Sequence, residues 1–413
     1  MKKVYDVIII GAGIIGLSTA YYLTQKGKKV LILEKKEIGA GASSACDDMI
    51  FLQSKKPGIL LQMALESLEM YKYLSKELET DLEFQTRGGM ILIENQEQLR
   101  IMEDFVYKQR SYGLDVELID KRDVKEKQPF ISDRVIASTY SPIDSQVNPF
   151  RVMRGFYLKS LEKGMEIKKG APVIALKKLS DGSWKVLTTE NKYYHTRVVV
   201  NAAGAWAAEV GKMVGIKIPI KPKKGQIAVT EQIPCLGETN IWDADYIVTK
   251  LIPALAEKRG RILSQLGIGL SFTQTHDGNY FIGGTREFVG FDSKTTYQGI
   301  SNIIPQALKF FPVLKNVHII RAFAGLRPAS LDGKPFLGEV KVKEGFFIAA
   351  GHEGDGIALA PITGKIMAQM ICGETPSLPV GELSPDRLLD RQEVMNKIKL
   401  DRQEVMNKIK LVK

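Results

Sequence analysis

The 413-residue sequence predicts an α/β protein, α+β overall, in which a parallel-sheet domain carries an inserted second domain built on a large antiparallel sheet. Three observations predict it. A strand–glycine turn–helix–strand unit opens the chain, short alternating strands and turns fill residues 217–296, and a second strand–glycine loop–helix unit lies at 346–371. The hydrophobic content of 44% and charged content of 25% are ordinary for a globular chain, which excludes wholesale disorder, collagen-like structure and coiled-coil rods. The chain is too long for one small core, so two intimately joined domains are expected.

Residues 4–10 are apolar and β-branched on both faces, as in a parallel strand covered by helices. Gly11-Ala-Gly-Ile-Ile-Gly16 follows, then an apolar helix to about Gln25, Gly27 at its end, a second buried strand over 28–33, and Glu34. This is the βαβ context that a G-x-G-x-x-G motif requires to bind a dinucleotide. Gly11 permits the tight turn, Gly13 lets the backbone approach a pyrophosphate, and Gly16 lets helix and strand pack closely. The pyrophosphate then sits against unpaired N–H groups at a helix N-terminus. Glu34 accepts hydrogen bonds from ribose hydroxyls and repels a 2′-phosphate, which disfavours NADP; the motif leaves FAD and NAD open. Residues 39–45 (GAGASSA) exclude bulky side chains, so backbone amides and the Ser43 and Ser44 hydroxyls can approach a second ligand surface, unless this is simply a surface loop.

Helical periodicity returns at 60–82 and 151–163, with strands at 89–93 and 135–140. Strands at 173–176 and 184–188 join through Asp181-Gly182, a hairpin signal. Residues 197–206 are a buried strand running into a small-residue turn, a second place where backbone can press against a cofactor. Residues 217–296, including His276-Asp-Gly-Asn279 and Ile282-Gly-Gly-Thr285, have the character of an antiparallel sheet rather than another βαβ unit. Ala324-Gly-Leu-Arg-Pro328 places Arg327 on a turn stiffened by Pro328. Residues 346–350 form a buried strand, Gly351-His-Glu-Gly-Asp-Gly356 leaves it, and the helix from Ile357 aims its positive end at a ligand.

The net charge of +11 comes from 58 basic and 47 acidic residues scattered along the chain, with no basic run interleaved with aromatics, so a nucleic-acid partner is not expected. Cys46, Cys235 and Cys372 form no C-x-x-C pair, which leaves no disulfide framework and no spacing for a metal site. Asp6 and the glycines interrupt the apolar N-terminus, so it serves as strand and turn rather than as a signal peptide. No stretch approaches the roughly 20 apolar residues that span a bilayer. A cytoplasmic location is expected. Residues 390–400 (DRQEVMNKIKL) recur unchanged at 401–411, giving one apolar stripe through Val394, Ile398, Val405 and Ile409. This basic tail leaves peripheral membrane contact, a partner subunit, or packing on its own protein open.

Together these motifs resemble the D-amino-acid oxidase superfamily of flavoenzymes, in particular its sarcosine oxidase and glycine oxidase branch. Gly11 to Gly16 with Glu34, the 39–45 loop, 198–206, 325–328 and 351–356 carry the resemblance, in the family's order. A narrower similarity, carried by Phe51-Leu-Gln-Ser54, residues 285–290 (TREFVG) and 352–357 (HEGDGI), is to β subunits of dye-linked dehydrogenases of proline, D-hydroxyproline or opines, and to hydrogen cyanide synthase. The resemblance implies a discontinuous Rossmann-type FAD-binding domain (1–85, 150–218 and 322–385), a substrate domain (86–149 and 219–321) and a helical tail (386–413). It implies FAD in an extended pose, adenine near Glu34 and Val173 and flavin near the 351–356 loop. The implied cofactor contacts are Gly11, Gly13, Ile14, Gly16, Glu34, Lys35, Gly41, Ala42, Ser43, Ser44 and Met49 in the first part of the chain. In the remainder they are Val173, Ala203, Gly204, Trp206, Gly325, Arg327, Gly351, His352, Gly354, Gly356 and Ile357. Cys46-Asp47-Asp48 stands where many relatives have glycines or an arginine, so the pocket there is expected to differ. Cys372 lies too far along its helix for a flavin bond, so the FAD is expected to be non-covalent.

The resemblance implies that Arg327 clamps the substrate carboxylate. The expected chemistry is hydride transfer from Cα of an amino acid or secondary amine to flavin N5, giving an imine. The candidate substrates are of proline, hydroxyproline, sarcosine, D-amino-acid or opine type, and the electrons pass to an acceptor or partner subunit, a dehydrogenase rather than an oxidase. His352 is the second catalytic candidate, either tuning the flavin or taking a proton from the amine, against the plainer reading of a loop histidine bonded to backbone. A non-catalytic FAD-binding assembly subunit remains the alternative.

Overall fold

The computed structural model describes residues 4–252, 255 and 260–389; the duplicated units at 390–411, and the expected tail beyond 389, lie outside the described residues. Among the described residues the chain builds two eight-stranded sheets and a two-stranded ribbon. It opens with β1 (Val4–Ile10), α1 (Ile14–Gln25) and β2 (Val30–Leu33). Then come β3 (Met49–Ile50), α2 (Ile59–Glu77), β4 (Gly89–Ile93), α3 (Gln96–Ser111), β5 (Glu117–Asp120), α4 (Lys121–Lys127) and β6 (Ala137–Ser141). After β7 (Ser145–Gln146) and α5 (Pro149–Glu162) follow β8 (Glu166–Lys168), β9 (Val173–Lys178), β10 (Trp184–Thr188), β11 (Tyr193–Asn201) and α6 (Ala207–Lys212). The next stretch holds β12 (Ile220–Gln232), β13 (Asn240–Asp243), α7 (Ala244–Leu251), α8 (Arg261–Leu266), β14 (Ser271–Gln274), β15 (Asn279–Gly283) and α9 (Tyr297–Phe310). Finally come β16 (Ile319–Ser330), β17 (Phe336–Glu339), β18 (Phe346–Ala350) and α10 (Gly356–Ile371).

The first sheet runs β17-β18-β11-β1-β2-β8, with the β9–β10 hairpin attached to β11. Strands β18, β11, β1, β2 and β8 are mutually parallel. Strands β2 and β18 and the end of β1 are apolar and buried throughout because both faces of the sheet are covered there. Val7, Ile9 and Ile32 pack under α1, α2, α5 and α10. Ile8, Ile10 and Leu31 pack against the β9–β10 hairpin and α6.

The second sheet runs β16-β12-β15-β14-β13-β4-β6-β5 and is antiparallel except where β13 meets β4. The antiparallel character expected for 217–296 is therefore present, and the mixed α/β class holds. Helices α7 and α8 interrupt that region; Asp243 caps α7 by accepting from the Tyr246 N–H at 2.8 Å. The helix expected over 60–82 ends at Glu77. Arg327 differs more sharply from expectation. It lies within β16, paired along its length to β12, not on a turn. Pro328 is accommodated because β16 is an edge strand, where a missing N–H breaks no ladder. Strand β16 also crosses position 321/322, so its Arg327 end runs with the second sheet.

Candidate functional site

One cavity runs from the C-terminal ends of β1 and β2 to the loop before α10, lined from both sheets. At the β1 end, Gly11 turns with φ +109°, and a Cβ there would meet Ala202 O at 2.6 Å. A Cβ on Gly16 would lie 2.1 Å from Gly11 O, so helix α1 can approach the turn only through glycine. Glu34 is held by the chain itself: its Oε2 accepts from the Ala12 N–H and its Oε1 from the Lys36 N–H, each at 2.8 Å. Each carboxylate oxygen keeps a further lone pair for a ligand hydroxyl. The N-cap of α1, Gly13, has no capping side chain, and the Ile14 N–H donates to Ser43 Oγ at 3.1 Å. The helix dipole thus opens toward the cavity where an anionic group is favoured.

Small residues form the middle wall: Ala40 to Ser43 on one side and Ala202 to Ala205 on the other. Trp206 is clamped, with the Lys35 ammonium 3.1 Å from its ring centroid and Phe291 stacked at 5.3 Å. Burial, and secondarily Lys36, lower the Lys35 pKa to about 8.

At the far end, β18 runs into Gly351 (φ +95°) and then His352, which bridges to Ala329 of β16. His352 is 4% exposed, with Nε2 3.2 Å from Thr363 Oγ1. Desolvation lowers its pKa to about 4, only partly opposed by Asp355, so the ring is neutral near pH 7. Asp355 occupies the N-cap position of α10 without a side-chain capping hydrogen bond, and its carboxylate pairs with the buried Lys55 ammonium at 2.7 Å. Arg327 faces this loop; its Nη1 donates to Thr285 O at 2.8 Å. It lies across Gly225 of β12, where a Cβ would meet Nη1 at 2.3 Å, so a bare strand surface makes its seat. No carboxylate pairs with Arg327 among the described residues.

Of the expected contacts, Gly11, Gly13, Ile14, Glu34, Lys35, Gly41, Ala42, Ser43, Val173, Ala203, Gly204, Trp206, Arg327, His352, Gly354, Gly356 and Ile357 all line this cavity. Five do not. Gly16 and Gly351 shape the backbone beside it, and Gly325 lets β16 approach Ala45, whose Cβ a side chain at 325 would meet at 2.7 Å. The Ser44 hydroxyl turns to Gly41 O at 3.4 Å. Met49 lies beneath Trp242, accepting from its Nε1. Cys46 and Asp47, where the pocket was expected to differ, both line the cavity; Trp242, Tyr246 and Arg286 line it as well and were not among the expected contacts. His276 and Tyr280 do not line it; the Tyr280 hydroxyl instead accepts from the Leu236 N–H at 2.8 Å. Asp47 and Cys46 adjoin the 39–45 loop and were visible there, whereas Arg286 reaches the cavity only through long-range strand pairing.

The family model described as FAD dependent oxidoreductase (DAO) matches residues 6–370. The chain belongs to this family. A relative from Pseudomonas aeruginosa, hydrogen cyanide synthase subunit HcnC, is 28% identical, covering 92% of this chain and 95% of its own. Glycine oxidase of Geobacillus kaustophilus is 29% identical over 90% of this chain and 94% of its own. A crystal structure of that glycine oxidase superposes with TM-score 0.83 at 26% identity, covering 93% of this chain and 98% of that chain. L-proline dehydrogenase from P. horikoshii superposes with TM-score 0.82 at 27% identity, covering 94% and 98%. As a member of the DAO family the protein is an FAD-dependent oxidoreductase, and its cavity fits that cofactor: an acidic group anchored by backbone, a helix N-terminus with glycine at its N-cap and a wall of small residues occur in the order a dinucleotide needs. Among the described residues no helix is long and apolar enough to cross a membrane.

Proposed function

We propose that this DAO-family enzyme oxidises an amine bearing a carboxylate, of the proline, hydroxyproline, sarcosine, D-amino-acid or opine type, to the imine. The observation that carries the proposal is Arg327, a guanidinium without a carboxylate partner among the described residues, facing the cavity beside the loop before α10. The names of the relatives, glycine oxidase and L-proline dehydrogenase, agree with a carboxylated amine. Glu34 and the α1 N-terminus would hold the adenosine and pyrophosphate of FAD, and the 351–356 loop its ring end. Bound FAD would supply the acceptor for the hydride that leaves the substrate Cα. The fork of Arg327, steadied by Thr285 O, binds the carboxylate and fixes where Cα points. The α10 N-terminus stabilises negative charge developing next to it. His352, with its pKa near 4, is too weak a base at neutral pH to deprotonate an amine, which favours a fixed neutral ring beside the cofactor over proton transfer.

We further propose non-covalent FAD, because Cys372 caps the far end of the 16-residue α10, roughly 24 Å along the helix. A dehydrogenase passing electrons to a partner is favoured, since HcnC is itself named a subunit. The test is anaerobic bleaching of the visible flavin bands by a panel of carboxylated amines, followed by air. Arg327→Ala should lower kcat/KM by about 10²- to 10³-fold while FAD content stays constant. Unchanged kinetics in that variant, or no bleaching by any amine, would shift the reading to a non-catalytic assembly subunit.

A further inference from the structure

The cavity holds a second arginine that the reaction proposed above does not use. Arg286 lines the same cavity as Arg327, and its guanidinium has neither a carboxylate partner nor a hydrogen-bond acceptor among the described residues. It is nevertheless fixed in place. Its Cζ lies 3.2 Å from the ring centroid of Tyr246, so one face of the guanidinium is stacked and its in-plane N–H donors stay open.

The support beneath it is rigid. The Tyr246 ring rests on Gly269, where a Cβ would come within 2.2 Å of Cδ2. Trp242 meets that ring edge-on, with centroids 4.8 Å apart, and is itself stacked on the buried Phe51 at 5.1 Å. Such a stack holds a guanidinium at little entropic cost, as a recognition site requires and a solvated surface arginine does not. The two arginines are also tied together, because Arg327 Nη1 bonds the carbonyl of Thr285, the residue that precedes Arg286.

Two of the carboxylates lining this end are engaged by lysines. Glu353 is taken by Lys223 at 2.5 Å and Asp355 by Lys55 at 2.7 Å. A substrate with a single carboxylate would satisfy one donor fork and leave the other, half-buried, without a carboxylate acceptor. We propose that Arg286 is a second carboxylate site and that the substrate is a secondary amine with a carboxylate on each side of nitrogen, an N-(carboxyalkyl) amino acid; this rests on the oxidation assigned to Arg327.

The decisive comparison uses the FAD-loaded holoenzyme and two ethers that cannot be oxidised at nitrogen, oxydiacetate with two carboxylates and methoxyacetate with one. Binding is read from perturbation of the flavin absorption bands and from tryptophan fluorescence. Wild type should bind oxydiacetate about 30-fold more tightly than methoxyacetate. In Arg286→Gln that ratio should fall to about 3 or less, and Arg286→Lys, which keeps the charge without the planar fork, should lie between. Turnover of iminodiacetate against sarcosine, both as initial rates, should follow the same ordering.

A wild-type ratio near one, or a ratio unmoved by Arg286→Gln in a variant with full FAD content, overturns the second site. Should the ethers discriminate while no amine bleaches the flavin, the site stands and the proposed oxidation falls. Should sarcosine and iminodiacetate bleach it equally well, the oxidation stands and the second site falls.

Discussion

His352 shows how burial alone decides what a side chain can do. With 4% of its surface exposed, its pKa falls from 6.5 to about 4. The unfolded chain therefore binds a proton that the native state refuses between those values. Stability is fully present above pH 6.5 and declines as the pH drops toward 4. Between pH 7 and pH 5 the native state should lose about 2 kcal/mol through this group. Urea unfolding of the wild type and His352→Gln at both pH values checks this: the wild type should weaken more than the variant by that amount, and equal losses would remove His352 from the account. Legibility at this scale divides by range. Glu34 and Gly11 to Gly16 were readable because their partners lie within one βαβ unit, with Ala12 and Lys36 the donors to Glu34. Arg286 was not readable, because its stacking partner Tyr246 comes from α7, joined to it only through the pairing of β13, β14 and β15.

Among the elements, α10 depends on a charge brought from elsewhere. Lys55 follows the short turn after β3 and is 3% exposed; its ammonium donates to Phe51 O at 2.9 Å and Ser54 Oγ at 2.8 Å and pairs with Asp355 at the helix N-cap. Removing one member of a buried pair leaves the other uncompensated, so Lys55→Met should destabilise by about 3 kcal/mol. Adding Asp355→Asn should recover part of that loss, since no isolated charge then remains. A chemical-denaturation double-mutant cycle reads this directly, and strictly additive losses would mean that the two groups do not interact. The same reasoning explains why β16 was misjudged from sequence. Gly325 and Pro328 are turn signals locally, but β16 pairs through Gly325 with Gly225 and through Pro328 with Pro222, and edge placement removes the penalty. Helix α3 was missed for the opposite reason. Its buried Gln98, Met102, Phe105, Val106 and Gln109 recur at helical spacing behind an Asn95 cap, and the signal lay in the sequence unused.

For the whole molecule, the cavity is a seam rather than a pit in one domain. Glu34, Gly13 and Ala203 belong to the first sheet and its connections, whereas Ile227, Trp242, Arg286 and Arg327 belong to the second. A ligand lying along the seam touches both, so its binding free energy should stabilise the two sheets as one cooperative unit. A dinucleotide at 100 times its Kd adds about 2.7 kcal/mol, and for a chain of this size that corresponds to a rise in Tm of roughly 3 °C. FMN offers the ring end without the adenosine that Glu34 and Val173 would hold, so at the same concentration it should give a clearly smaller shift. Calorimetry of the apoprotein with FAD, with FMN and with neither distinguishes the cases. One transition that moves upward with FAD is the expected result. Two transitions, with only the first-sheet domain responding, would mean that the cofactor touches one side and that the second sheet contributes to substrate binding alone. Equal shifts from FMN and FAD would mean that the Glu34 corner, for all its fit to a dinucleotide, contributes nothing to holding it.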